Sequence, residues 1–478
     1  MTQPAVLRRC LALAVIAGAM LFSAAAPAQS DSAVSKLNES LVNVDAARRS
    51  DTVLLPLFAK MEAPPAAVAS VDEARLMPAD AKGFAAAAAW AQGASQQAVL
   101  AGLVTVTAEQ DWRKAMIFAQ PYGADGVPPD LIRAGLYTEL DDPPTLAWAN
   151  IGYMPAFDRL EALVNVEATR LAADGKANES LDLLVNFAYF ARQICDRKFF
   201  AEAQWGLRAT TRTLERMRDI AYVDARGAKA LHPERIKAAI ARMDDGGVLD
   251  LAYPRMKWPE ANRLAAEQMV ERMYGDDSLI RADVFPTTMA RLGTGGKPLR
   301  LFSQSARWRT AAAQQVPGNA AEANLSRVYG DWERRWQGSY FDLRLQGRAS
   351  EFADLDRNTN AVVALATPDM TGLIHLRQQA TSEAVGTRLS LALTAQWYVT
   401  GAIPPQATAV RPRWLKAMEA DAFNPNRDRG ALPPPQYFIP TRRGGVSAPH
   451  SMDVVTNSVR GDANFSLKFG PETFILYS

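Results

Sequence analysis

Two long stretches of helical periodicity, residues 155–173 and 178–197, are parted by little more than Asp174-Gly175-Lys176. A glycine-centred turn this short sends the second helix back along the first as an antiparallel neighbour. Within the second stretch Leu181, Leu184, Val185, Ala188, Ala191 and Ile194 recur at three- and four-residue steps. They form one apolar stripe, which another element has to cover. The same periodicity continues at 199–223, at 233–244 and at 259–274. Together these segments predict a helical-hairpin array. The first hairpin resembles the tetratricopeptide type, but its signature does not recur at a fixed 34-residue period, so the array is not assigned to that family.

The flanks are less regular. Before the array, short helices are expected at 37–49 and 53–61, parted by Ser50-Asp51, with a break at Ala63-Pro64-Pro65. Residues 82–101 are Ala-rich and read as one helix. Thr107-Ala108-Glu109-Gln110 has the spacing of a capping box and predicts a helix running through Phe118. After the array, Trp332, Trp336, Tyr340 and Leu343 share one helical face, a pattern that marks core. Gly293 to Pro298 has the look of a phosphate loop, but Arg291 stands where its first glycine belongs and Pro298 follows Lys297 in place of Ser or Thr. A flexible turn is expected there. Asp354 to Asn358 begins like a calcium loop, yet Thr359 replaces the required glycine and Leu365 the final glutamate.

The C-terminal quarter opens on Thr367-Pro368-Asp369, read as a helix start, and Gly401 is the natural stop. The helix between them, 368–400, is about 50 Å long at 1.5 Å per residue. Leu373, Ile374, Leu376, Val385, Leu389, Ala392, Leu393 and Trp397 supply its apolar positions, with Arg377, Glu383 and Arg388 on other faces. Those charges exclude a membrane span. Pro404, Trp414-Leu415, Asp421-Ala422-Phe423 and a final strand at 474–478 follow. Trp397, Tyr398, Gly401, Pro404, Asp421, Phe423, Leu476, Tyr477 and Ser478 give this stretch a pattern that resembles the globular lobe of type II secretion pseudopilins. The resemblance implies a long helix capped by a short antiparallel sheet. Filament assembly and calcium binding do not carry over, because the helix is internal and charged and the chain stops at Ser478. The order of parts from 155 to 478 also resembles uncharacterised exported bacterial helical-array proteins, a likeness that brings no catalytic residues with it.

Arg8-Arg9, the apolar run from Cys10 to Phe22 and Ala24 to Ala28 read as a Sec-type signal peptide cut after Ala28. Its loss lowers the basic count from 53 to 51, against 51 acids, so the mature chain is near neutral. That balance offers no footprint for nucleic acid. Cys10 leaves with the peptide, and Cys195 remains as a lone cysteine on a buried helical step.

No motif fixes a chemistry. His232, His375 and His450 are far apart in sequence and lack metal-site spacing, and no cofactor motif is present. The doublets Asp141-Asp142, Asp244-Asp245 and Asp276-Asp277 flank helix ends and read as turn acids, though acids meeting in the fold could serve a glycosidase. Asn424 to Gly430 offers oxygen ligands at alternate positions, but an Asn-Pro turn is the simpler reading and binding of Ca²⁺ is left open. No catalytic, cofactor-binding or metal residue is assigned. The expected fold is mainly α: a signal peptide (1–28), an N-terminal helical region (29–150), a helical-hairpin array with irregular loops (151–366), and a long helix plus pseudopilin-like small sheet (367–478). The function expected is that of a periplasmic or secreted non-catalytic interaction or scaffold protein with an envelope protein partner and no transmembrane segment in the mature chain. An envelope-polymer hydrolase using paired carboxylates is the alternative.

Overall fold

The turn at Asp174-Gly175-Lys176 folds the chain back on itself. In the computed structural model Gly175 takes a left-handed backbone, φ 75°, and α7 (Met154–Ala173) and α8 (Ala177–Cys195) pack side by side. The structure describes residues 27–477 except 245–246, 295–297, 343–344, 346, 425–432, 440–449, 459–460 and 470–472. The signal peptide expected at 1–28 therefore lies outside the described residues apart from Pro27 and Ala28, which begin α1 (Pro27–Val42). The turn read at Gly293 to Pro298 and the oxygen-rich stretch Asn424 to Gly430 also fall largely outside them.

The chain is mainly helical. Helix α9 (Phe200–Arg226) packs on α8, and α10 (Pro233–Arg242) and α11 (Ala261–Met273) follow, so the hairpin array ends within three residues of the expected boundaries. Gly206 makes the α8–α9 crossing close, since a Cβ there would lie 2.7 Å from the Cys195 amide nitrogen and 2.8 Å from its Sγ. Ahead of the array stand α2 (Asp51–Phe58), α3 (Val71–Leu76), α4 (Phe84–Ala91), α5 (Ala94–Val106) and α6 (Pro129–Arg133). After it come α12 (Phe285–Thr294), α13 (Pro298–Ala311), α14 (Gly318–Gln337), α15 (Ala361–Ala366) and α16 (Thr371–Thr400). Among the described residues the named strands pair antiparallel: β1 (Thr138–Glu139) with β2 (Asn150–Ile151), β4 (His450–Ser458) with β5 (Gly461–Phe469), and β3 (Gln436–Phe438) with β6 (Ile475–Tyr477). In the last pair Tyr437 faces Leu476, and the Tyr437 hydroxyl donates to the Pro404 carbonyl at 2.6 Å, which ties the small sheet to the loop after α16. Among the described residues no helix is long and apolar enough to cross a membrane.

Several local expectations are corrected. The Ala-rich stretch is two helices, because Gly93 is extended and opens α5. Thr107 ends a helix instead of starting one: its hydroxyl donates back to the Leu103 carbonyl at 2.7 Å, and residues 108–118 form no helix. There Ile117 is drawn beside Arg48 and Ser50 by backbone hydrogen bonds of 2.7 and 2.9 Å. A true capping box lies at Ser70 and Glu73, opening α3. The long helix begins at Thr371, not 368. Pro368 forces Thr367 out of helical geometry, and the Asp369 carboxylate caps the Thr371 amide at 3.0 Å. Its stop is as expected, with Gly401 left-handed at φ 76°.

Helix α16 also departs from a single apolar stripe. From Ala384 to Ala395 it is buried on nearly every side, since α9 and α10 cover it on one flank and the 407–415 segment on another. Arg388, expected to face away from the core, is buried and paired with Glu419 while donating to the Met243 carbonyl. The helix passes through two apolar clusters. Leu373, Ile374 and Ala380 belong with Trp332 and Trp336. Leu389, Leu391, Ala392 and Leu393 belong with the α7–α9 core.

Two glycines give a paired test. Gly206→Ala should destabilise by about 1–3 kcal/mol, because backbone and Sγ of α8 must give way. Gly386→Ala in α16, where a Cβ meets nothing within 4 Å, should be neutral or stabilising by up to about 1 kcal/mol. Urea denaturation midpoints of both variants check the contrast.

Candidate functional site

The loop between α8 and α9 carries Arg197, and Glu202 sits one turn into α9; both are fully buried. Arg197 Nε donates to Glu202 Oε1 at 2.7 Å, Nη1 to the Gln120 carbonyl at 2.9 Å, and Nη2 to the Tyr153 hydroxyl at 2.9 Å. The Tyr153 hydroxyl in turn donates to Glu202 Oε1. Tyr122 donates to Oε2 at 2.7 Å while its oxygen accepts the Lys198 amide at 2.9 Å. Oε2 also accepts the Phe199 amide at 3.1 Å, so Glu202 caps the first turn of α9. The guanidinium lies 4.2 Å from the Tyr122 ring centre. Asn38 of α1 joins from outside through paired hydrogen bonds of 2.8 Å to the Tyr122 backbone. This knot sets the N-termini of α7 and α9 side by side.

Across those first turns runs a groove of about 770 Å³. Met154, Pro155 and Asp158 of α7, Ala201, Gln204 and Trp205 of α9, and the 68–72 segment that leads into the first turn of α3 form its walls. Trp205 is the apolar floor: it stacks 5.0 Å from Phe157 and donates Nε1–H to Asp158 at 2.8 Å. Deeper in, Arg212 grips Glu161 with two hydrogen bonds of 2.6 Å. Burial pushes the Glu161 carboxyl up, and Arg212 pulls it back. Asp72 lies 3.6 Å from Arg75. Each acid at the groove thus has a partner, whereas Arg159 and Arg208 on the rim have no ion pair among the described residues.

The acids and histidines singled out by sequence do not converge here. Asp141 pairs with Arg291 at 2.5 Å. Asp244 meets Lys416 at 3.3 Å, and Asp245 lies outside the described residues. Asp277 caps the Leu279 amide in a turn. His232 opens α10, His375 sits 3.1 Å from the Tyr340 hydroxyl, and His450 stands in β4. Among the described residues no three His, Cys, Asp or Glu side chains are placed to hold a metal ion. Asp356 binds the Asn358 amide and the Thr359 hydroxyl as an ordinary turn acid. Cys195 is buried, and that burial pushes its thiol up to about 12. Trp332 and Trp336 are core, as their spacing predicts, but α14 ends at Gln337, so Tyr340 leaves that face and is exposed, and Leu343 lies outside the described residues.

Sequence reading missed the Arg197–Glu202 knot. The available trace was a glutamate at the third position of a helix that opens on Phe199-Phe200 without a Ser, Thr, Asp or Asn cap. No protein-family model, curated protein or solved structure matches the chain.

Glu202→Leu or Arg197→Met should each destabilise the fold by about 3–5 kcal/mol, because each leaves its buried partner uncompensated. The double variant should lose markedly less than the sum, a coupling that denaturant titration of the cycle reads directly. Alkali should act on the same core. Burial raises the Cys195 thiol to about 12 from an ordinary 9.0, and raises the phenols of Tyr122, Tyr153 and Tyr329 as well. The unfolded chain therefore releases these protons first. Their contribution is complete below about pH 9 and falls as pH rises toward 12. Thermal unfolding across that range should show falling midpoints, and Cys195 should resist thiol reagents at pH 8 until the protein is unfolded.

Proposed function

We propose that this chain is an exported, non-catalytic interaction or scaffold protein of the bacterial envelope, with residues 1–28 acting as the signal peptide. The observation that carries the reading is the groove across α7 and α9, with its indole floor and two rim arginines that have no ion pair among the described residues. A helical array offering such a surface commonly serves a partner chain. Paired acids and unpaired cations favour a partner segment that brings its own carboxylates. In this reading the C-terminal lobe keeps a pseudopilin-like shape without filament assembly, and α16 joins that lobe to the array.

The hydrolase alternative needs two acids facing each other across a cleft with no other commitment. Asp158 is held by Trp205, and Glu161 is sealed behind Arg212, so that alternative finds less support here.

Crosslinking in intact cells followed by mass spectrometry should recover an envelope partner. The Arg159→Glu/Arg208→Glu variant should lower its yield several-fold, with folding stability within about 0.5 kcal/mol of the parent, since both side chains are at the surface. Recovery of monomer alone, or turnover of peptidoglycan or glycan by the purified protein, would go against the proposal.

A further inference from the structure

A second cavity, of about 260 Å³, lies between the C-terminal end of α14 and the first half of α16. Arg377 of α16 borders it, stacked 3.8 Å over the Trp336 ring and donating Nη2–H to the Trp336 carbonyl at 2.7 Å. Arg197, Arg212 and Arg388 each meet a glutamate. Arg377 meets no carboxylate among the described residues, and its Nη1 is buried without a hydrogen-bond partner. Burial pulls its guanidinium down to about 10, in keeping with a cation whose partners among the described residues are a carbonyl and an aromatic ring. The other walls are aromatic and hydroxylic: Tyr253, Ser339, Tyr340 and Phe341, with Gln378 alongside. Tyr253 is half-exposed at the mouth.

An unpaired guanidinium at the edge of a small cavity is the half of an ion pair that a ligand completes. We infer that this cavity binds a carboxylate, held by Arg377 and covered by the aromatic walls. The charge favours a monoanion, since one cation lines the cavity where a phosphate dianion would call for more. The shape agrees, because a guanidinium fixed flat on an indole presents its edge, and that planar fork matches a carboxylate. The aromatic walls favour a flat or apolar body behind the carboxylate over a bare ion. The source is either a free small acid or the C-terminus of a peptide. The inference stands apart from the partner groove, which lies on other helices.

Isothermal titration of the purified full-length chain tests it with benzoate, acetate, inorganic phosphate, and a tripeptide ending in Phe as free acid and as amide. Benzoate should bind more tightly than acetate or phosphate. The free-acid tripeptide should bind in its place only if the source is a chain terminus, and the amide should not bind. Arg377→Met should weaken benzoate at least about tenfold, the loss of a charge-assisted hydrogen bond. Tyr253→Ala, at the mouth, should weaken it several-fold and guards against misfolding of the arginine variant. The inference is overturned by no carboxylate binding to the parent, by phosphate binding better than benzoate, or by equal benzoate binding to a folded Arg377→Met.

Discussion

Everything on the N-terminal side of this molecule depends on one buried ion pair that is more than an ion pair. Arg197 and Glu202 sit five residues apart at a helix junction, yet their hydrogen bonds reach Gln120, Tyr122 and Tyr153, residues distant in sequence. Removing two charges from water is expensive, and Coulomb attraction alone need not recover it. The knot recovers it by saturation, since both carboxylate oxygens and all three guanidinium nitrogens find partners. Such an arrangement tolerates one geometry. It therefore fixes where α7 and α9 begin, and with them the groove that crosses their first turns.

The long helix α16 answers a different problem, how two apolar clusters become one protein. A surface helix needs one apolar stripe, but a helix buried on several sides needs small residues to let its neighbours approach. Ala384, Ala392 and Ala395 provide that, and the buried polar side chains between them find partners. Thr387 accepts Arg218 at 2.6 Å, and Arg388 closes on Glu419. Arg75–Glu215 and Arg218–Glu383 extend the same joining from α3 through α9 to α16.

How much of this could be read from the sequence follows from the range of the interactions. The array was legible because its determinants are local: periodic leucines, a three-residue turn, a proline at a helix start. The stop at Gly401 and the final strand were legible for the same reason. Thr107 misled because a hydroxyl can cap the start of a helix or bond back at its end, and the choice is made by Ile117 pairing with a segment almost seventy residues away. Arg388 misled because periodicity places a residue on a face but does not say whether that face is covered. The groove and the Arg377 cavity were out of reach, since each is assembled from helices whose approach only the folded chain defines.

A net charge of only +2 over the whole chain hides a local imbalance. The interior places its acids where they cap and pair: Glu202 on Arg197, Glu161 on Arg212 and Glu419 on Arg388. Among the described residues several arginines have no ion pair: Arg48 and Arg242 donate to backbone carbonyls instead, while Arg159 and Arg208 line the groove and Arg377 the smaller cavity. Overall charge thus says little about what the protein attracts, because screening erases the field of distant charges within about 8 Å at physiological salt. Arg377 lies over the Trp336 ring at the smaller cavity, and Arg159, Arg208 and Trp205 line the groove; a planar guanidinium matches the geometry of a carboxylate.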